Sequence, residues 1–113
     1  MPRYLLIQRS APSTEPRDPP SPAQMQEMYA AFTAWKDKFK DAIIDMGGKL
    51  RPGGKLVTAG TVSDGPFVET KEIIGGYMIV EADSYDLAVV IAQEGPGAMM
   101  PGSSIEIREL AGP

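Results

Sequence analysis

The chain has 113 residues, a common size for one domain, so we expect a single domain over residues 1–113. Its net charge is −4 and its lysines and arginines are scattered, so no basic surface for nucleic acid is predicted. The sequence has no cysteine and no histidine, which excludes disulfides, thiolate metal sites and Ser-His or Cys-His catalysis. We therefore expect no bound metal and no nucleic-acid partner.

The first predicted element is a strand from Arg3 to Arg9, an apolar run with polar ends. This run is too short for a signal peptide or a membrane span, so we expect a cytoplasmic protein with no membrane partner. Residues 10–22 contain five prolines, which exclude helix and sheet pairing. The segment is predicted to be an exposed Pro-rich loop, either a functional flap or a floppy connection.

A long helix is predicted to begin at Ser21-Pro22-Ala23-Gln24, where a capping serine, a first-position proline and a capping-box glutamine agree. We expect it to run to about Met46 and to end on Gly47-Gly48. Apolar residues with helical spacing are predicted to face the core. They are Met25, Met28, Tyr29, Phe32, Trp35, Phe39, Ile43 and Met46.

Lys36 falls inside this apolar stripe. The favoured interpretation is that its aliphatic stem lies across apolar surface while its ammonium group stays in water. The other interpretation is a cation presented at a pocket or a subunit interface.

The second half of the chain alternates turns with three strands and one helix. Residues 47–54 are glycine-rich but lack the closing Lys-Ser or Lys-Thr of a phosphate loop, so they predict a hairpin or turn. Strands are predicted over Lys55–Val62, Gly76–Ala82 and Ser103–Leu110, and a helix from Asp83 or Ser84 to Gly95-Pro96. The resulting order, βαββαβ, predicts an α+β domain with both helices on one face of the sheet.

Two of the predicted strands carry apolar side chains on both faces. The first has Tyr4 and Leu6 on one side and Leu5 and Ile7 on the other, and residues 77–80 repeat this pattern. With both helices on one face, no element of the chain is left to cover the other face. We therefore expect a homodimer that packs sheet against sheet.

The segment from Asp64 to Tyr77 reads DGPFVETKEIIGGY. Asp64, Gly65 and Pro66 are residues that form tight turns, and Phe67 is suited to anchor such a loop in apolar surface. Taken residue by residue, the segment predicts a hairpin excursion with a solvated, charged tip.

As a whole, the pattern DGPF-x-E-x-K-E-x-x-G-G-Y resembles the DGPF group of the YciI-like (YCII-related) proteins, and the resemblance extends over essentially the whole chain. It implies a ferredoxin-like fold that dimerises through the sheet as an α+β barrel. The family is mostly of unknown function, with a few relatives acting on small aromatic compounds. A His-Asp pair is suggested as the active site of other YciI-like proteins, and it cannot be carried over because this chain has no histidine.

Two classes of function stay open. The first is a small-molecule binder or enzyme with its pocket at the dimer cleft; a burial-shifted carboxylate or lysine would then act as general base. The candidates for catalytic groups are Asp64, Lys71 and Glu72. The candidate ligand-binding residues are Asp64, Phe67, Glu69, Lys71 and Tyr77. An anion would be held by Arg9, Arg51 or Arg108.

The second class is a non-catalytic dimer that binds a protein partner or a regulatory ligand; the missing His and Cys favour it modestly. For either class we expect no cofactor, because the sequence has no dinucleotide motif and no His or Cys to hold a heme or flavin.

Overall fold

The structure, a computed structural model, describes residues 1–10, 20–51, 53–64, 73–99 and 102–112. Its elements, in chain order, are strand β1 (Arg3–Ser10), helix α1 (Pro22–Lys38), strands β2 (Ile43–Lys49), β3 (Lys55–Thr58), β4 (Thr61–Asp64) and β5 (Ile73–Glu81), helix α2 (Tyr85–Glu94), a 3₁₀ helix (Pro96–Met99) and strand β6 (Ser103–Glu109).

Four of the strands form an antiparallel sheet in the order β2-β5-β1-β6. The central strands β1 and β5 pair along their whole length, with Tyr4 opposite Val80 and Leu6 opposite Met78. This strand order, with one helix in each crossover, is the ferredoxin-like arrangement. The predicted α+β class, with two helices and an antiparallel sheet, is confirmed.

The core lies between one face of this sheet and both helices. It joins alternate residues of β1 and β5 to Trp35 of α1 and to the apolar side of α2. The indole Nε1–H of Trp35 donates a hydrogen bond to the Ile91 carbonyl oxygen at 2.9 Å. Both helices therefore lie on the same face. Among the described residues, the buried apolar side chains are those of Tyr4, Leu6, Trp35, Val80, Ala82, Ala88, Ile91 and Ala92.

Local capping signals set the helix starts as predicted. The Gln24 backbone N–H donates to Ser21 Oγ at 3.2 Å, and the Ser21 N–H donates to Gln24 Oε1 at 2.9 Å. At α2 the Leu87 N–H donates to Ser84 Oγ at 3.2 Å. Gly95 ends α2 immediately before Pro96.

The prediction that α1 continues to Met46 was wrong, because the helix ends at Lys38. Residues 43–49 instead form β2, which pairs with β5. The turn between them is tied down by bonds from the Ala42 and Ile43 N–H groups to the Phe39 carbonyl. Ile43 and Ile44 are β-branched, which suits a strand. The helical spacing of the apolar residues favours a helix instead, but pairing with β5 stabilises the strand.

The prediction of a single strand over Lys55–Val62 was also wrong. These residues form the hairpin β3–β4, a separate two-stranded sheet that turns at Ala59-Gly60. Gly60 has φ +79°, a left-handed conformation that glycine adopts without Cβ strain. The glycine-rich stretch predicted as a turn begins inside β2, since Gly47–Lys49 belong to that strand.

The predicted apolar stripe of α1 does not form the core along its length. Trp35 is its buried member, whereas Met25, Met28, Tyr29 and Phe32 are exposed, Tyr29 by 76%. Phe39 and Ile43, which follow the helix, are half-buried against the core. The Pro-rich loop was predicted over residues 10–22, but Ser10 belongs to β1 and Pro22 begins α1. Residues 11–19 of that loop and the segment 65–72 lie outside the described residues.

We predict that Gly47→Ala destabilises the domain by at least about 2 kcal/mol. Gly47 has φ +62°, and a Cβ there would lie 1.9 Å from the Tyr77 carbonyl oxygen, so β2 would have to move away from β5. Gly48 is the matched control, because a Cβ there meets nothing within 4 Å. Urea unfolding of both variants tests this; equal midpoints would contradict the close approach at Gly47.

A second prediction concerns alkaline stability. Tyr4 is 1% exposed, and burial, followed by the charge and hydrogen bond of the Glu109 carboxylate, raises the pKa of the Tyr4 phenol above 10.0. The folded state thus favours the protonated phenol, so this contribution to stability is complete below about pH 10 and is lost as pH rises through the raised pKa. The urea midpoint should fall more steeply above pH 10 in the wild type than in Tyr4→Phe. If the urea midpoints of the two proteins fell in parallel above pH 10, the prediction would be wrong.

Candidate functional site

The candidate site lies on the open face of the four-stranded sheet, opposite the helices. Leu5 pairs with Ile79 and Ile7 pairs with Tyr77, so these four side chains share the face that Tyr4 and Leu6 do not occupy. Strand β6 adds Glu106 opposite Ile7 and Arg108 opposite Leu5.

Tyr77, on this face, is an exposed residue, by 42%. Gly48 of β2 pairs with Tyr77, and a Cβ at Gly47 would come within 3.1 Å of Tyr77 Cδ2. Because neither glycine has a side chain, β2 leaves the neighbouring edge of the ring uncovered. Asp45 of β2 pairs with Ile79, a residue of the open face. The Asp45 carboxylate accepts a hydrogen bond from the Gly47 N–H at 2.8 Å.

A charged cluster lies beside the apolar residues. Arg9 Nη2 lies 3.4 Å from Glu106 Oε1, and Arg108 Nη1 lies 3.7 Å from Glu106 Oε2. Two guanidinium groups therefore share one carboxylate, which leaves a net charge of about +1 on the cluster. The Arg9 side chain is 26% exposed and that of Arg108 is 70% exposed. Arg108 is thus the more accessible of the two cations.

We call these side chains, Ile7, Arg9, Tyr77, Glu106 and Arg108, the Tyr77 surface. An aromatic ring beside aliphatic groups offers a flat apolar contact, and guanidinium groups bind carboxylates and phenolates with directional hydrogen bonds. The phenol of Tyr77 and the carboxyl group of Glu106 are of the side-chain types that serve in general acid–base catalysis. The arrangement suits a small, flat, anionic molecule.

The structure places two of the residues that the sequence assigned to one site in different sheets. Asp64 ends β4 in the hairpin, where its carboxylate pairs with the Lys55 ammonium group and stays exposed. Tyr77 lies in the four-stranded sheet. Four further candidates, Phe67, Glu69, Lys71 and Glu72, lie outside the described residues, and their roles stay predictions.

Glu106 was missed by the sequence reasoning, although Arg9 and Arg108 were named as anion holders. The alternation of Ile105 and Ile107 with Glu106 and Arg108 did indicate that the charged pair shares one face. The alternation does not give the register between β6 and β1. That register places Ser104 opposite Arg9 and Glu106 opposite Ile7.

Among the described residues, no group of three acidic side chains is placed to hold a metal ion. Within the same ranges, no helix has the length and hydropathy needed to cross a membrane.

Comparison with known proteins identifies the family. The model of the YCII-related domain matches residues 3–111, and the chain therefore belongs to this family. A solved structure similar to the chain is 5-chloro-2-hydroxyhydroquinone dehydrochlorinase from Burkholderia phenoliruptrix, in complex with 2,5-dihydroxybenzoquinone. The two are 24% identical, the match covers 91% of this chain and 90% of that chain, and the TM-score is 0.41. No match to a curated protein was found.

Proposed function

We propose that this YCII-related domain forms a homodimer through the open face of its sheet and binds a small anionic molecule in the cleft between the two copies, at the Tyr77 surface. One observation carries the proposal: an uncovered apolar sheet centre lies directly beside the cluster of Arg9, Glu106 and Arg108.

The distribution of side chains on the open face supports the dimer. Its centre is apolar, with Leu5, Ile7 and Ile79 half-buried within the single chain. Charged pairs border this centre at both ends, Arg3 with Glu81 at 3.4 Å on one side and the Arg9 cluster on the other. An apolar centre with a polar rim is the usual composition of a protein–protein interface.

The same geometry supports a ligand at the rim of that interface. When two sheets pack face to face, their centres are about 10 Å apart, and the space at their ends is lined by residues of both copies. The Tyr77 surface is at such an end. There a ring would contact Tyr77 and Ile7, while its anionic group would reach Arg108, the more exposed guanidinium.

We predict that Ile79→Asp breaks the sheet-face contact and lowers the average mass of the protein in solution, because the interface would bury an unpaired carboxylate at its apolar centre. Val90→Asp is the matched control: it adds the same charge at an exposed apolar residue of α2, away from the sheet face. Sedimentation equilibrium at micromolar concentration measures the outcome, with circular dichroism confirming the fold. A wild-type monomer, or a dimer unaffected by Ile79→Asp, refutes the sheet-face contact.

The ligand prediction is tested by a thermal-shift screen of small aromatic acids, each paired with its neutral amide. We expect the acids to raise Tm and the amides to do so less. Arg108→Gln should weaken acid binding by roughly tenfold or more, since a hydrogen bond to a charged group contributes about 1.5–3 kcal/mol. Arg3→Gln, at the other end of the face, should bind as the wild type does.

If no acid raises Tm and the protein is still a dimer, the alternative function remains: a non-catalytic dimer that binds a protein partner or a regulatory ligand. If an acid binds, chromatography of the incubated mixture shows whether it is also transformed, the outcome that would make the protein an enzyme.

A further inference from the structure

The first turns of α1 display apolar side chains on the outside of the domain. Every residue from 21 to 34 is exposed, although the helix is 17 residues long and capped at its start. Met28 and Tyr29 lie three and four residues after Met25, and Phe32 lies four and three residues after them, so the four form one stripe. Lys36 extends the stripe by one turn, four residues after Phe32. We call these five residues the α1 stripe.

The hairpin β3–β4 displays a second exposed apolar surface. All eight of its strand residues are exposed. Val57 lies directly opposite Val62, and Lys55 lies opposite Asp64 on the same side, because residues two apart on a strand point the same way. We call these four residues the hairpin face. An isolated two-stranded sheet is at best marginally stable in water, so this hairpin needs a surface to pack on.

The two surfaces match in both polarity and spacing. From Phe32 to Lys36 the helix rises about 6 Å, and from Val62 to Asp64 the strand rises about 6.7 Å. With Val62 against Phe32 and β4 running along α1 in the same direction, the carboxylate of Asp64 would lie beside the ammonium group of Lys36. Both groups are accessible, since Lys36 is exposed and the Asp64 side chain is 78% exposed despite its pair with Lys55.

We propose that the hairpin face of one copy packs on the α1 stripe of a second copy, with Val62 on Phe32 and Asp64 beside Lys36. Both surfaces stay exposed within one chain, so they do not cover each other there. A second copy supplies the complement of each, and a two-fold pair makes the contact twice. This contact explains the lysine within an apolar stripe. It is distinct from the sheet-face contact proposed above and involves none of its residues.

Cysteine cross-linking tests the contact directly, because the chain has no native cysteine. Phe32→Cys and Val62→Cys proteins are mixed and mildly oxidised, and the covalent heterodimer is identified by mass. The matched control replaces Val62→Cys with Ser63→Cys, one residue away on the opposite side of the hairpin. We expect the Val62 pair to cross-link at least about tenfold faster, because suitable Cα–Cα distances span only about 4.4–6.8 Å.

Equal rates for the two pairs would overturn the proposal. So would a disulfide forming within one chain of a Phe32→Cys/Val62→Cys double variant at high dilution, since the hairpin would then cover its own helix. A wild-type dimer that is disrupted by Ile79→Asp but shows no Val62 preference would reject this contact alone and leave the sheet-face dimer standing.

A charge exchange provides a second test that does not remove apolar groups. Lys36→Glu, and separately the swap Lys55→Glu/Asp64→Lys, should each weaken dimerisation by roughly 2- to 5-fold per contact, the usual range for an exposed ion pair. The swap keeps an opposite-charge pair within the hairpin, so its effect reports on the partner. The triple variant should return to within about twofold of the wild type. If the triple variant lost as much dimerisation free energy as the two separate changes combined, the Lys36–Asp64 pairing would be wrong.

Discussion

The hydrogen bond from the Trp35 indole to the Ile91 carbonyl joins the two helices, and the position of α1 depends on it. Trp35 is the buried residue of α1, and its ring packs against Gly95, where a Cβ would lie 3.3 Å from Trp35 Cε2. Beside it, the Lys38 ammonium group lies 2.5 Å from the Glu94 carboxylate. All of these contacts involve the C-terminal turns of α1. The helix is therefore attached at one end, and its first turns gain stability from the cap and from their propensity rather than from packing on the core.

This one-ended attachment explains why the single chain leaves so much apolar surface exposed. The helices cover one face of the sheet with a core built largely from Tyr4, Leu6 and Val80. The start of α1 and the whole β3–β4 hairpin stay exposed, and the apolar centre of the other sheet face is half-buried without an element packed on it. The open sheet face and the hairpin each carry opposite charges in pairs, which is the composition expected where copies of a chain meet in a specified register. In the proposed dimer, assembly and ligand binding would be linked, since the Tyr77 surface lies at the end of the face proposed for the interface.

Where local signals were sufficient, the sequence predicted the fold well. The strands β1, β5 and β6, the start of α1 and all of α2 follow from short apolar runs, capping serines and the Gly95-Pro96 stop. Residues 43–49 were misassigned because Ile43 and Met46 continue the helical period, and the partner that makes them a strand, β5, is about thirty residues away. The hairpin was missed because Ala59-Gly60 is a weak turn signal. At the site, Arg9, Tyr77 and Arg108 could be named by type, but their meeting with Glu106 depends on pairing register, which residue type does not encode.

Strand β2 has a further consequence for how the chain can assemble. It is an outer strand of the four-stranded sheet, and its pairing with β5 is irregular between Ile43 and Asp45 and again between Asp45 and Gly48. Such bulges twist a free edge so that it cannot serve as a template for another strand. The outer strand on the other side, β6, pairs regularly, and its charged residues Glu106 and Arg108 disfavour edge-to-edge pairing by charge instead. Open-ended polymerisation through added strands is thereby suppressed, and the faces are left as the routes to closed oligomers.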